Sequence, residues 1–455
     1  MLRLGSPYSQ GIATAAVLLI ATSLASAEPT GWRGNGSSYF PDAQPPLEWS
    51  PENNVLWKLK LPGGGYASPV LCDERLFVMS NPAELLCIDA TTGQKLWQQS
   101  VTYASVLGEA KDQEIVATYE KLVQQRQQAR QAYETARKAN PADPQLDDLK
   151  QAADEAEEAV RDYVQLYPQE GQPRGCGNAA ATPVCDGQHV YLTMGTGIVA
   201  AFDLEGRRLW ARHVESPFGG WGHSTSPVLA DGKLIVHFRD LVALDPATGD
   251  EVWRTEHSAK YGTPIVTTIE GQAVLVTPAG GLIRAADGKV LAEKLFQLSN
   301  NSPLVHDGVI YAHEGGAVKA IRLPATLAEA ANPEVLWETR STRDSRMTSA
   351  AYCQGLLYAG GRGGIMDVID AQTGKMLYRR RLNVGELFAS VVVAGDVLLV
   401  SGKDGKTLVL RPGRNYEELA VNELERFSST PLVHGDRVYV RTDATLYCIG
   451  KPSGD

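Results

Sequence analysis

Cys87-Ile-Asp-Ala-Thr-Thr-Gly-Gln-Lys-Leu-Trp97 is a turn set between two β-rich runs, and the chain repeats it. Phe202-Asp-Leu-Glu-Gly-Arg-Arg-Leu-Trp210, Leu244-Asp-Pro-Ala-Thr-Gly-Asp-Glu-Val-Trp253 and Ile369-Asp-Ala-Gln-Thr-Gly-Lys-Met-Leu-Tyr378 carry the same phrase, the last with Tyr in the Trp slot. Ala286-Asp-Gly-Lys-Val-Leu-Ala292 and Glu334-Val-Leu-Trp337 are degenerate copies. The Asp accepts hydrogen bonds from backbone N–H groups of the turn, and the Gly supplies positive φ. The apolar residues on either side are the two strands of a hairpin. A large aromatic four residues after the Gly is suited to packing between neighbouring sheets, so Trp57, Trp97, Trp210, Trp253, Trp337 and Tyr378 are expected to dock one sheet on the next.

A second phrase, Ser/Thr-Pro-apolar, opens each unit. It stands at Ser68-Pro69, Thr182-Pro183, Ser226-Pro227, Thr263-Pro264, Ser302-Pro303 and Thr430-Pro431, with copies lacking the Pro at Ser349-Ala350 and Ser390-Val391. From Ser226 onward the steps are 37, 39, 47, 41 and 40 residues. A period of about 40–45 residues with four short strands per unit marks a propeller blade. The last unit ends after Leu446-Tyr-Cys-Ile449 with no Trp strand, while Asn53-Asn-Val-Leu-Trp57-Lys-Leu-Lys60 offers one ahead of the first opening. The expected fold is therefore all-β: an eight-bladed β-propeller of four-stranded blades, its N-terminal strand closing the last blade and removing the exposed edges. Hairpins scattered through a sandwich give no reason for complementary deficits at the two ends.

Residues 102–170 break the period. They hold no Trp, and no Gly from Glu109 to Glu170. Ile115, Tyr119, Leu122, Ala129, Tyr133 and Ala136 are spaced as one helical face. Leu146, Leu149, Ala153, Ala156, Val160 and Tyr163 form a second, and Asn140-Pro-Ala-Asp-Pro144 separates them. An α-helical hairpin inserted in the ring is expected, either a solvated strut against the rim or a docking arm for another protein. It carries 8 basic and 14 acidic residues. Residues 28–101 then hold the N-terminal segment, closing strand and first blade, and residues 171–455 the second to eighth blades.

The chain has 455 residues, 43% of them hydrophobic and 21% charged, with Gly 44 and Pro 25. This is globular composition rich in turns. The net charge of −10 and the lack of a basic cluster speak against nucleic acid as a partner. Residues 1–27 read as an export signal: Arg3, an apolar run from Ile12 to Ala21, then Ala25-Ser26-Ala27. That run is too short to span a bilayer, no later stretch is expected to, and the protein is expected to be periplasmic or secreted. Six cysteines survive processing, and in an exported chain they are free to pair. Cys176 and Cys185 are the first pair to test, with buried free thiols an equal alternative.

The eight histidines form no metal spacing, and neither His-Glu-x-x-His nor Cys-x-x-Cys occurs. No metal site or catalytic set is expected from the motifs. Gly219-Gly-Trp-Gly-His-Ser224 and Gly360-Gly-Arg-Gly-Gly364 read as turns. Loops that enter the innermost strands gather at one mouth of the channel, and they carry Tyr66, Trp221, His223, Lys260, Tyr261, Asn300, Arg346, Met347, Phe388, Arg426 and Phe427. Aromatic and cationic residues converging on a concavity suit a ligand or peptide pocket, unless they merely plug the channel. His223, Tyr261 and Arg346 are expected to face one shared pocket.

The Asp-x-x-Thr-Gly-x-x-x-Trp phrases resemble the repeat of the pyrroloquinoline-quinone (PQQ) type propellers, across nearly all of the chain outside the insert. Gly31-Trp-Arg-Gly34, Leu47-Glu-Trp-Ser50 and Asn54-Val-Leu-Trp57 are also similar to the starts of exported PQQ-like proteins. The resemblance implies one of two functions. Quinoprotein oxidoreductases of this family hold PQQ and Ca²⁺ at the channel mouth, with adjacent cysteines and a set of acidic and amide side chains. This chain has no Cys-Cys, and no positions match that set. Non-catalytic relatives, among them a lipoprotein of the outer-membrane β-barrel assembly machinery, are binding scaffolds, though the anchoring Cys of that lipoprotein is absent here. The leading expectation is thus a non-catalytic scaffold without a cofactor, its partners other exported or outer-membrane proteins met through the rim, the mouth or the hairpin 102–170. A PQQ-dependent oxidoreductase is the alternative, and a lectin-like ligand binder a third.

Overall fold

The structure is a computed structural model that describes residues 29–170, 175–218, 221–329, 333–344 and 346–452. The expected export signal, residues 1–27, lies outside the described residues. Eight antiparallel sheets of four strands stand around a central axis, the first seven running from an inner to an outer strand in chain order. The first blade, for example, is Val70–Cys72, Arg75–Ser80, Glu84–Asp89 and Lys95–Ser100. The eighth takes three strands from the C-terminal end and its outer strand, Val55–Lys60, from the N-terminal end, with Trp57 opposite Cys448 and Lys58 opposite Tyr447. The ring closes at the expected seam.

The turn phrase explains the closure of the gaps. Asp89 Oδ1 accepts from the backbone N–H groups of Thr91 and Thr92 and from the Thr92 hydroxyl, at 2.7–3.0 Å. Gly93 follows at φ 73°. Its missing side chain serves a second purpose, because a Cβ there would meet the indole of Trp57 at 2.5 Å. The same juxtaposition sets Trp97 on Gly206, Trp210 on Gly249, Trp253 on Gly288 and Trp337 on Gly374. Each indole Nε1–H also donates to a main-chain carbonyl of the neighbouring turn: Trp57 to Ala90, Trp97 to Leu204, Trp210 to Pro246, Trp253 to Ala285 and Trp337 to Ala371. The Trp of one blade thus needs the Gly of the next, which is why the two recur together. The fourth blade has Ala292 in the Trp slot, and the connection 323–334 in the fifth has no Gly, so both halves of the lock are lost at one junction. Every gap between neighbouring blades holds its own apolar cluster.

Two features were not legible beforehand. Residues 30–44 cross the channel at one end. Thr30 bridges Cys185 of the second blade, Tyr39–Phe40 adds a parallel strand to the inner edge of the seventh, and Gln44 N–H donates to Gly435 O of the eighth. Arg33, 3% exposed, sits inside this plug and donates to Ala350 O at the start of the sixth blade. The second feature is a correction. The disulfide joins Cys72 to Cys185, while Cys176 is free. Cys72 and Cys185 end the innermost strands of two adjacent blades, so the ring brings them within 6.2 Å between Cα atoms although 113 positions separate them. The helical insert, which falls between those blades, hides this proximity in the sequence.

The insert is a hairpin of Glu109–Ala139 and Leu146–Leu166, preceded by a short helix Tyr103–Leu107 with a Thr102 cap. Only its base is buried, through Tyr103, Ile115, Val160 and Val164. Tyr103 donates from its hydroxyl to Thr196 O on the second blade. The longer helix extends about 46 Å at 1.5 Å per residue, most of it beyond the rim.

Candidate functional site

At the end of the channel opposite the plug, the eight openings meet. Side-chain to main-chain bonds through their hydroxyls link seven of the eight successive pairs of openings. Ser68 N–H donates to Thr182 Oγ1, Thr182 to Ser226, Ser226 to Thr263, Thr263 to Ser302, Ser302 to Ser349, Ser390 to Thr430 and Thr430 back to Ser68, at 2.8–3.1 Å. Proline fixes the strand entry, and the preceding Ser or Thr satisfies the N–H of the previous blade, a group that would be costly to bury alone.

Above these openings lies a cup of about 450 Å³. Trp32 of the plug is among its lining residues, and Tyr66, Trp221, Tyr261, Asn300, Arg346 and Phe388 stand around it, together with Lys403 and Cys176. With Met347, seven residues expected at the mouth are therefore brought together. Tyr261 and Arg346 share the cup, but His223 does not. Consecutive residues of the turn diverge: Trp221 is 61% exposed and Ser224 lines the cup, while His223 is buried with its ring 4.4 Å from that of Phe238. Lys260 and Arg426 also lie outside the lining. Lys260 contributes its carbonyl to Thr225, and Arg426 its carbonyl to Asp443 N–H. Met347 lines the cup, while Phe427 is buried in the gap between the seventh and eighth blades.

Trp32 and Lys403 were missed. Lys403 sits on the turn between the second and third strands of the seventh blade. In an antiparallel sheet that turn returns to the face of the openings, so a search confined to the openings passes over it.

The cup is aromatic and cationic. The Arg346 guanidinium lies 5.2 Å from the Trp221 ring centre and the Lys403 ammonium 5.1 Å from that of Phe388. Tyr66 packs edge-on against Phe388. Burial, helped by Asp443, holds the Tyr66 phenol above its ordinary pKa, and burial then Cys176 do the same for Tyr261. Burial pushes the Cys176 thiol up to about 11, so it is not a thiolate at neutral pH. Burial, then His237, pushes His223 down to about 3. These shifts all run away from neutrality, the reverse of what a general acid or base requires. The arrangement is equipped to bind and orient, through stacking and charge.

A Ca²⁺-supported quinone needs acidic oxygen ligands at the mouth. Among the described residues none that lines the cup is Asp or Glu, and no group of three or more His, Cys, Asp or Glu is placed to hold a metal. Cys176 has no neighbouring cysteine in sequence. The donor set does not fit PQQ with Ca²⁺.

A family model described as outer membrane protein assembly factor BamB matches residues 49–142, 173–261 and 239–455. A curated relative, outer membrane protein assembly factor BamB of Legionella pneumophila (strain Paris), is 25% identical over 200 residues, 40% of this chain and 49% of the relative. The match thus spans about half the length of that relative. Among solved structures, BamB from Moraxella catarrhalis superposes with a TM-score of 0.56 at 11% identity, covering 88% of this chain and 98% of that one. Quinohemoprotein alcohol dehydrogenase from Comamonas testosteroni gives 0.55 at 12% identity, covering 93% and 81%. At such identities the structural likeness speaks for the fold alone.

Proposed function

The chain belongs to the family of β-propellers described as outer membrane protein assembly factor BamB, and from that premise we propose that it is an exported, non-catalytic scaffold that binds other proteins of the cell envelope. The observation that supports this reading is a closed ring whose mouth, among the described residues, gathers aromatic and cationic side chains and no carboxylate, and whose helical appendage is buried only at its base. The arm provides a long polar surface with a net charge of −6, read from residues 102–170. Among the described residues no helix is long and apolar enough to cross a membrane.

Affinity capture from an envelope extract, with the full chain and with residues 116–159 replaced by a short Gly-Ser loop, tests the reading. That replacement leaves Ile115, Val160 and the ring in place. The full chain is expected to capture outer-membrane assembly proteins, and the shortened one to lose them at unchanged thermal stability. Equal capture by both removes the arm from the function; capture of no envelope protein by either overturns the scaffold.

A further inference from the structure

We propose that the cup is an anion site, taking a small organic carboxylate whose planar apolar body lies against the aromatic wall and whose charge meets Arg346 and Lys403. This goes beyond the scaffold reading and stands or falls separately from it.

Charge makes the first argument. The chain carries −10, yet among the described residues the cup is lined by two cations and no acid. Neither Arg346 nor Lys403 has an ion-pair partner among the described residues, whereas about half of the other arginines of the ring do. The two share a neighbour: after Arg362, both help to hold the Glu386 carboxylate below its ordinary pKa. Glu386 itself is bound by Arg362 at 2.7 Å, and Asp344 accepts from Gly363 N–H and Arg346 N–H. Glu386 and Asp344 are thus engaged outside the lining, and Asp443, the acid that bears on Tyr66, also lies outside it, which leaves Arg346 and Lys403 as the charged groups of the cup itself.

Buried charge is the second argument. Arg33 follows Trp32, the plug's contribution to the cup lining, and its guanidinium lies 5.2 Å from that indole. Its Nη1 has no hydrogen-bond partner, and its remaining donors go to neutral oxygens of Ser38, Ser37 and Ala350. Arg441 stands behind Gly65 and Tyr66, fully buried, with Nε and Nη1 unpartnered. Burial lowers the two pKa values only to about 9 and about 10, so both stay charged at neutral pH. Asp443 offsets part of that burial for Arg441; Arg33 has only neutral partners, so its burial is costly, and the cost falls when an anion enters the same low-dielectric region. Two positive groups thus line the concavity and two more are buried next to lining segments, at Trp32 and at Gly65–Tyr66, an arrangement that focuses potential for an anionic ligand on an otherwise acidic protein.

The remaining surface defines the body of the ligand. Trp32, Trp221, Tyr261 and Phe388 offer ring faces and edges, and the volume of about 450 Å³ lies in the range of small-molecule sites.

The probes are indole-3-acetate and indole-3-acetamide, alike in shape and different in charge, titrated calorimetrically into the full chain. Acetate is expected to bind roughly tenfold or more tightly than acetamide, as charge-assisted bonds in a half-enclosed site imply. Arg346→Met and Lys403→Met are each expected to weaken acetate about threefold to tenfold and to leave acetamide unchanged, a split that general loosening of the fold does not produce. Added salt should weaken acetate alone. Equal affinities for the two probes, equal loss of both in either variant, or no binding of acetate at millimolar concentration overturns the proposal. Lys403→Met keeps the test alive should Arg346→Met fail to fold, since Lys403 lies on a different blade.

Discussion

Trp57→Ala removes the residue that holds the seam. In the structure Trp57 belongs to the outer strand of the eighth blade, yet it packs on Gly93 and donates to Ala90 O, both in the first blade. Ala90 O is the shared acceptor of three donors: Trp57 Nε1, Arg437 Nη1 and the Tyr439 hydroxyl. Truncating a buried Trp costs about 3–5 kcal/mol. Trp57 is only half-buried, so about 2–3 kcal/mol is expected, part of it the indole hydrogen bond at about 1 kcal/mol. Trp57→Phe, which keeps much of the apolar contact and drops the donor, should lie between the parent and Trp57→Ala. Leu96→Ala serves as the control, because Leu96 is 46% exposed on an outer strand and should cost under about 0.5 kcal/mol. Urea unfolding followed by tryptophan fluorescence and circular dichroism reads all three. Should Trp57→Ala match the Leu96→Ala control, the seam does not bear on stability and the reasoning about the Trp–Gly lock fails.

Further outcomes follow from the same geometry. Non-reducing peptide mapping should yield a Cys72–Cys185 cross-link and an alkylated Cys176, and the paired serine variant should lose about 2–4 kcal/mol; a Cys176–Cys185 peptide contradicts the assignment. Ser68→Ala should cost about 1–3 kcal/mol in urea titration, because the Thr430 N–H loses its acceptor, while Ser68→Thr should recover most of it. Burial holds His223 at about 3 and His237 at about 4, below the 6.5 of a free imidazole. Between pH 6.5 and about 4 the unfolded chain binds protons that the folded chain refuses, so stability from these groups is lost as pH falls through that window. Glu170, raised to about 7 by burial, acts in the opposite sense between pH 4.5 and 7. Stability measured against pH for His223→Phe and the parent isolates the imidazole: the variant's slope should be shallower by up to about 1.4 kcal/mol per pH unit, and identical slopes refute the assignment.

Much of the ring was legible because its signals are local. The Asp and Gly of each turn, the Trp four residues on, and the Ser/Thr-Pro openings lie within short spans, and the deficit at Ile449 matched the surplus at Trp57. What escaped was non-local. The purpose of the Gly opposite each indole, the hydroxyl links, and the Cys72–Cys185 bond arise only between blades that the chain order separates. Residues 30–44 have no repeat pattern, so nothing marked them as a plug. At the mouth, entry loops bring Tyr66, Trp221, Tyr261, Asn300, Arg346, Met347 and Phe388 to one cup, while the irregular turn that carries Trp221 and Ser224 directs His223 inward against Phe238. Trp32 and Lys403 reach it from other segments.

The central claim is a ring that binds without catalysing, and the purified full chain can be asked directly. Titration with PQQ is predicted to give no Ca²⁺-dependent change in the quinone absorbance spectrum and no reduction of an artificial electron acceptor with alcohol or aldose substrates, since no carboxylate among the described lining residues can hold the metal. Stoichiometric uptake of the quinone with substrate-dependent dye reduction would contradict it.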